Sequence, residues 1–411
     1  MVRFSLYKRR RAKGVYYYVR FWSPEKKSYD PGLSIETLRS KLGDDSFRRI
    51  GTRSAAAAIA VRAYEEGLTK KEMKSPNFVE YVLNFWDFDN SSYVKLKNKT
   101  KKGSIGRDHC LNMLGTFKKN FLPHIDQNLK LSEITQSDIE NVIIALIDEG
   151  NISNSTINNV ILSVQKPLNE AFARGIIKAN PMQNVKMLQR DQKDRGIPTK
   201  SEVEAVLEYL RKEGFAGRIS MKIYLAVALA ATTGMRQGEI RALRKEAIEF
   251  VENDLEYEDQ AIITVSESYA KTDGFKSTKG KRVRHVPVSK TLAEELIRIA
   301  DKNPHKDTLI FWSDSSPDTP IAGSYINKYY YAALAAIGIT EEKRRERNID
   351  FHSLRHFFNS MLRGQIDDSN LRLIVGHQSE RMSDNYTHEV RERLLQIGKV
   401  SSNIIAFPKS S

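Results

Sequence analysis

Four separated stretches of the 411-residue chain carry side chains suited to gripping and attacking a phosphate diester. In "ATTGMRQGEIRAL", Arg236 follows Gly234 at the start of a helix, with Glu239 one turn on. "FHSLRHFFNSMLRG" has Phe351, Leu354, Phe358 and Met361 at amphipathic helical spacing, and His352 and Arg355 one turn apart on the other side. "STKGKRVRHVPVS" sets Lys279 at a β-turn between strands. "VGHQSERMSDNYTHE" places His377 directly after Gly376, and Tyr386 nine residues later. Each alone has a plain structural reading: a helix salt bridge, a solvated turn lysine, a surface tyrosine.

Together they fit one reaction. A phosphodiester attacked in line gathers negative charge on its non-bridging oxygens, which calls for cations or hydrogen-bond donors on both sides. Two arginines offer planar forks to those oxygens. Metal-dependent cleavage would use a carboxylate cluster instead. None accompanies these motifs, since Asp367 and Asp368 are adjacent and point apart. No metal or cofactor is therefore expected. A tyrosine nucleophile adds reversibility, because a phenol of pKa about 10 leaves phosphate more readily than a sugar hydroxyl. The absence of a G-x-x-x-x-G-K-[ST] loop fits a reaction without ATP.

The elements that must position these residues follow from periodicity. The expected class is mainly α with small β-sheets, an α+β protein. "VRFSLYKR" and "VYYYVRFW" read as strands joined at "RRAKG", followed by a helix opened by Thr52 and closed by Gly67. Residues 1–70 thus form a small β-sheet module with one helix. Residues 77–186 read as wholly helical, with helices near 77–88, 104–120, 135–148 and 155–174. Thr135 and Asp138 resemble a capping box, and Pro167 should kink or break the last helix. A polar linker at 187–196 leads to a third region, 197–395. It is helical with strands near 261–267 and 282–288, and a tail follows at 396–411. The tail's "IIAF" either tucks onto its own domain or docks on a neighbouring protomer.

A net charge of +15 points to a polyanionic partner. Residues 1–27 hold nine Lys/Arg against Glu25 alone, a balance of +8. Arg9, Arg10, Arg11, Lys13 and Arg20 on the first strands are candidates for entering a DNA groove. Lys95, Lys97, Lys99, Lys101 and Lys102 are candidates for tracking a phosphate strand, with a solvated loop as the alternative. The longest apolar run, 223–231, falls far short of the about eighteen residues that suggest a membrane span. The N-terminus lacks a secretory pattern, and Cys110 is the single cysteine. A cytoplasmic location is expected.

In this order and spacing, Arg236, Lys279, "HSLRH", "GHQSERMSDNYTH" and Tyr386 resemble the tyrosine recombinase (phage integrase) family. "STINNVILSVQKPLNEAFARGIIKANP" resembles its core-DNA-binding helical domain, 197–393 its catalytic domain, and, more weakly, the N-terminal module its arm-site-binding domains. The resemblance implies that Arg236 and Arg355 bind the scissile phosphate and that Lys279 protonates the leaving 5′ oxygen, with Lys276 and Lys281 as neighbouring candidates. His352 acts as base or donor, His377 donates to phosphate, and Tyr386 forms a 3′-phosphotyrosyl link; Glu239 orients Arg236. His356 and His388 read as structural. It further implies a homotetramer on two DNA sites exchanging strands through a Holliday junction. A type IB topoisomerase-like enzyme and a non-catalytic DNA-binding protein are the alternatives.

Overall fold

The computed structural model describes residues 3–11, 14–24, 27–43, 50–68, 75–101, 104–190, 195–252, 256–277, 283–375, 388–402 and 405. It divides into two compact units: residues 1–96 with 113–189, and residues 97–112 with 190–411. Among the described residues no helix is long and apolar enough to cross a membrane.

The first unit opens with strands β1 (Phe4–Arg11) and β2 (Gly14–Ser23), paired antiparallel from Phe4↔Phe21 to Arg11↔Gly14. The far edge of β2 takes short strands β3 (Ser28–Tyr29) and β4 (Leu33–Ser34). Alternation sends Tyr17, Val19 and Phe21 to one face, where they pack with Ile35 and Leu38 of α1 (Ile35–Lys41) and Ile59 and Ala60 of α2 (Arg53–Glu65). Helix α2 begins where the sequence indicates: the Thr52 hydroxyl accepts the Ala55 N–H at 3.2 Å. Gly67 beyond its end adopts φ +72. Helix α1, in a polar stretch with no strong period, was not expected.

Helices α3 (Phe78–Phe85), α4 (Ser92–Thr100), α5 (Arg107–Thr116), α6 (Gln136–Glu149) and α7 (Asn154–Ala173) follow. The Thr135–Asp138 capping box forms at the start of α6, and left-handed Gly150 ends it. Helix α5 runs into a π-helical turn, Phe117–Phe121, whose Phe117 and Phe121 stack 5.5 Å apart beside Phe78. Of the two outcomes expected at Pro167, a kink or a break, the break does not occur: α7 runs through it. The N–H that proline lacks would have bonded the Ser163 carbonyl one turn back, and the Trp86 indole N–H donates to this carbonyl instead, at 2.8 Å. With the acceptor satisfied and the ring buried, the helix continues.

The second unit is built around α9 (Met221–Thr233), in which every residue of 222–231 is buried. A helix apolar all round belongs at a centre. It packs against α8 (Lys200–Phe215), α10 (Gln237–Arg241), α11 (Lys290–Ala300), α12 (Gly323–Ala336), α14 (Ser353–Leu362) and α16 (His388–Ser402). Helices α13 (Glu341–Glu346) and α15 (Asp368–Val375) complete the α-helices among the described residues. Strands β5 (Ile248–Phe250), β6 (Gln260–Val265) and β9 (Arg284–Ser289) form one antiparallel sheet, while β7 (Glu267–Ala270) and β8 (Gly274–Ser277) form a hairpin. Strands β10 (Trp312–Ser313) and β11 (Ser316–Pro320) pair separately. Ile405 of the tail is buried in this unit's own core; the rest of "IIAF" lies outside the described residues.

Candidate active site

The corner between α9 and α10 is the centre of the site. Helix α9 ends at Gly234, left-handed at φ +64. A Cβ there would lie 2.6 Å from the Phe358 ring of α14, so both backbone angle and space demand glycine. Arg236 is extended and forms the N-cap of α10. Glu239 completes that cap: its Oε2 accepts the Arg236 backbone N–H at 2.8 Å, and its Oε1 accepts Nη1 of the Arg236 side chain at 2.9 Å. The pairing of Arg236 with Glu239 is therefore present. Its purpose extends beyond a surface salt bridge, because Glu239 is 2% exposed.

The same carboxylate also accepts two bonds from Arg284 of β9, at 3.0 and 2.6 Å. Arg284 is buried, and the motif reading did not single it out. A signal existed: alternation along "RHVPVS" puts Arg284 on the face of Val286 and Val288, both in the core. An arginine in that register needs an internal anion. Burial pushes the Glu239 carboxyl up, but the bonds and charge of Arg284, then the amide and charge of Arg236, outweigh it and hold the group at about 2.

Arg355, on α14, is 4% exposed and donates Nη1 to the Gly234 carbonyl. Burial lowers its guanidinium to about 10, and the charges of Arg236 and Arg284 add to this while Glu239 opposes. That mutual repulsion places Arg236 and Arg355 in one electrostatic neighbourhood. Three cations against one anion sum to +2 among these four side chains. A partly buried group of side chains with surplus positive charge suits an anion with several oxygens.

His352 precedes α14, where Asp350 and Ser353 cap each other: the Ser353 N–H donates to Asp350 Oδ1 at 3.0 Å, and the Asp350 N–H to Ser353 Oγ at 3.1 Å. The half-buried His352 ring lies edge-on to His356, 5.2 Å between centroids. Burial chiefly lowers both imidazoles, with Arg195 and Arg355 contributing and Asp350 opposing. Both rings are therefore biased to the neutral form.

The turn expected at Lys279, between β8 and β9, lies outside the described residues. The hairpin turn joins β7 to β8 around Gly274, at φ +69. Strand β6 pairs with β9 as far as Val265↔Arg284 and β7 with β8 from Glu267↔Ser277; in the sequence six residues, 278–283, separate β8 from β9. Lys279 belongs to those six and lies outside the described residues, as do Lys281, His377 and Tyr386. Lys276, on β8, is described and pairs with Asp273 at 3.0 Å. Among the described residues no group of three or more His, Cys, Asp or Glu is placed to hold a metal ion.

Away from this centre, the N-terminal sheet sorts its cations by face. Pairings Tyr7↔Tyr18 and Arg9↔Tyr16 put these residues on the face away from the helices. There Arg9 sits over Tyr18 at 5.5 Å, Arg20 over Tyr7 at 4.8 Å and Arg3 over Trp22 at 4.3 Å. Arg11 shares that register; Arg10 belongs to the opposite face, and Lys13 lies outside the described residues. Lys95, Lys97, Lys99 and Lys101 are exposed, the first three on helix α4 rather than on a loop; Lys102 lies outside the described residues.

Comparison with known proteins follows the same outline. The family model described as "Phage integrase family" matches residues 198–393, and the "Phage integrase SAM-like domain" matches 84–187. A search of curated proteins matches nothing. Among solved structures, a lambda integrase dimer bound to a COC′ core site aligns over 76% of this chain and 99% of its own, at 16% identity and TM-score 0.52. The Tn1549 transposon integrase in complex with a circular intermediate DNA aligns over 79% and 100%, at 16% identity and TM-score 0.55. A lambda integrase tetramer bound to a Holliday junction aligns over 92% and 98%, at 17% identity and TM-score 0.52. The chain belongs to the phage integrase family, the tyrosine recombinases. It is a tyrosine-type site-specific recombinase.

Proposed function

We propose that this recombinase integrates and excises a mobile element by cutting and rejoining duplex DNA through a 3′-phosphotyrosyl intermediate. The observation that carries the reading is the cluster of half-exposed Arg236 with buried Arg284 and Arg355 around buried Glu239, with its surplus of positive charge. Arg236 and Arg355 bind the scissile phosphate, and Glu239 holds Arg236 in place. The Tyr386 hydroxyl gives its proton to His352 or to solvent while its oxygen bonds to phosphorus. The bond from phosphorus to the 5′ oxygen breaks, and Lys279 supplies the proton that oxygen needs. His377 donates to a non-bridging oxygen. Rejoining reverses each transfer, with a 5′ hydroxyl displacing the phenol, so no energy source beyond the ester is consumed.

Residues 77–186 would hold the core site and 197–395 carry the chemistry. The exposed arginine–aromatic face of the N-terminal sheet would bind a second, arm-type site. Four copies on two DNA sites would exchange strands through a Holliday junction, a reading supported by the likeness to the lambda integrase tetramer bound to such a junction. The location is the cytoplasm, where such DNA is found.

A duplex nicked close to the cleavage position tests this, because the short product escapes and the covalent complex accumulates. Wild type should accumulate a protein–DNA adduct and Tyr386→Phe none, with DNA binding kept. An adduct in Tyr386→Phe equal to wild type would remove Tyr386 from the reaction.

A further inference from the structure

Two arginines from different elements saturate Glu239. Its Oε1 accepts Nη1 of Arg236 at 2.9 Å and Nη1 of Arg284 at 3.0 Å. Its Oε2 accepts the Arg236 backbone N–H at 2.8 Å and Nη2 of Arg284 at 2.6 Å. Those four donors fill the four sites that a carboxylate offers. The two partners differ in what remains of them. Arg284 arrives from β9 with its side chain 8% exposed and gives both terminal nitrogens to Glu239. Its Nε is buried and has no hydrogen-bond partner among the described residues. Arg236 gives Glu239 one side-chain nitrogen, and its side chain is 36% exposed. The buried arginine is thus committed to the carboxylate, and the half-exposed one retains surface that a ligand can reach.

We infer that Arg284 is a positioning residue whose charge offsets Glu239, so that the carboxylate holds Arg236 in place without neutralising it. This rests on the proposed reading in which Arg236 binds the scissile phosphate. Glu239 alone would serve Arg236 poorly. Matched one to one the pair is neutral, and the carboxylate repels the phosphate that Arg236 has to bind. With Arg284 beside them, the three side chains carry a net +1. Arg284 touches no reacting atom; it acts through Glu239 and Arg236. Because the requirement is one of charge, it follows the charge on the ester. Replacing one non-bridging oxygen by methyl gives an uncharged methylphosphonate. That ester carries one negative charge fewer into the transition state and needs one cation fewer.

The experiment measures single-turnover strand cleavage by the full chain on matched duplexes with a phosphodiester or a methylphosphonate at the cleavage position. Arg284→Met keeps an apolar side chain of similar reach but removes the charge. It should slow phosphodiester cleavage by about 10- to 100-fold, below the roughly 10²- to 10³-fold lost with a donor that touches the anion. Methylphosphonate cleavage should stay near that of wild type. Adding Glu239→Gln removes the buried anion as well, and this double variant should cleave the phosphodiester faster than Arg284→Met alone. No loss on the phosphodiester, or equal losses on both duplexes as a folding defect would give, would overturn the inference. So would a double variant no faster than the single one. Arg236→Met tests the reading beneath. If methylphosphonate recovers Arg236→Met but not Arg284→Met, the proposed reading stands and Arg284 has a packing role only. If Arg236→Met loses equally on both duplexes, Arg236 does not meet the charge of the ester, and the inference falls with the reading.

Discussion

Arginine serves in two opposite environments in this chain. At the corner of α9 and α10, Arg284 and Arg355 are buried, and one buried carboxylate or a backbone carbonyl holds each planar group. On the N-terminal sheet, Arg9 and Arg20 are exposed and lie against tyrosine rings. The first arrangement spends folding energy to keep charges dry, where Coulomb forces on a developing anion are strongest. The second keeps charges wet and pre-oriented, which suits docking on a polyanion that carries its own counterions. Burial thus separates the arginines proposed for chemistry from those proposed for docking.

The largest effect should come from removing the anion of the buried cluster. Glu239→Gln leaves Arg284 without its charge partner, and breaking such a pair should cost about 3 kcal/mol of stability. The sign follows from Glu239 lying at about 2 against an ordinary 4.5: its contribution is complete above pH 4.5 and is lost as pH falls towards 2. Chemical denaturation of wild type and variant across pH 2 to 7 checks this. The two stabilities should converge towards the acid end. A constant gap would mean that Gln disturbs packing rather than charge, and the contrast between dry and wet arginines would lose its basis.

The cluster was half legible in the sequence. Arg236, Glu239, His352 and Arg355 lie in local motifs whose spacing names them. Arg284 lies 45 residues from Glu239, and only strand alternation with Val286 and Val288 marks it as internal. Helix ends set by local chemistry, at Thr52, Thr135 and Gly150, were readable because cap and capped amide are neighbours. The compensation that keeps α7 continuous at Pro167 was not legible, because it comes from Trp86, 77 residues before Ser163. The lysine run from Lys95 to Lys101 was read by charge alone. Its helix depends on Val94, which is buried, and on Asn98, which bonds both polar groups of the Ile105 backbone at 2.9 and 3.0 Å.

The wet side of the comparison has its own measure. Arg9→Ala combined with Arg20→Ala should reduce the slope of log affinity against log salt by about 2, one per lost phosphate contact. Cleavage at saturating protein should stay unchanged. Fluorescence titration from about 50 to 200 mM salt reads the slope. An unaltered slope together with weaker binding would show that these arginines support the sheet through Tyr7 and Tyr18 rather than touch DNA.

His352 lies between the two extremes, half-buried and at the edge of the cluster, and should show the smallest effect. Burial, then the charges of Arg195, His356 and Arg355, pull its imidazole below 6.5, while Asp350 pulls it up. In the DNA-free protein its ring should therefore titrate below 6.5, and any stability tied to the neutral ring should fade as pH drops through that lower value. Arg195 and Asp350 form one ion pair, at 3.0 Å, yet they act on the ring with opposite signs. Arg195→Ala should raise the titration midpoint and Asp350→Asn lower it, as read by NMR of the ring protons. Arg195→Ala should not restore 6.5, because burial is the larger cause. Shifts of the same sign in both variants would mean that the pair acts by shaping the start of α14, through the Asp350–Ser353 cap, rather than by its field. His352 would then belong with the dry arginines, governed by packing more than by solvent-screened charge.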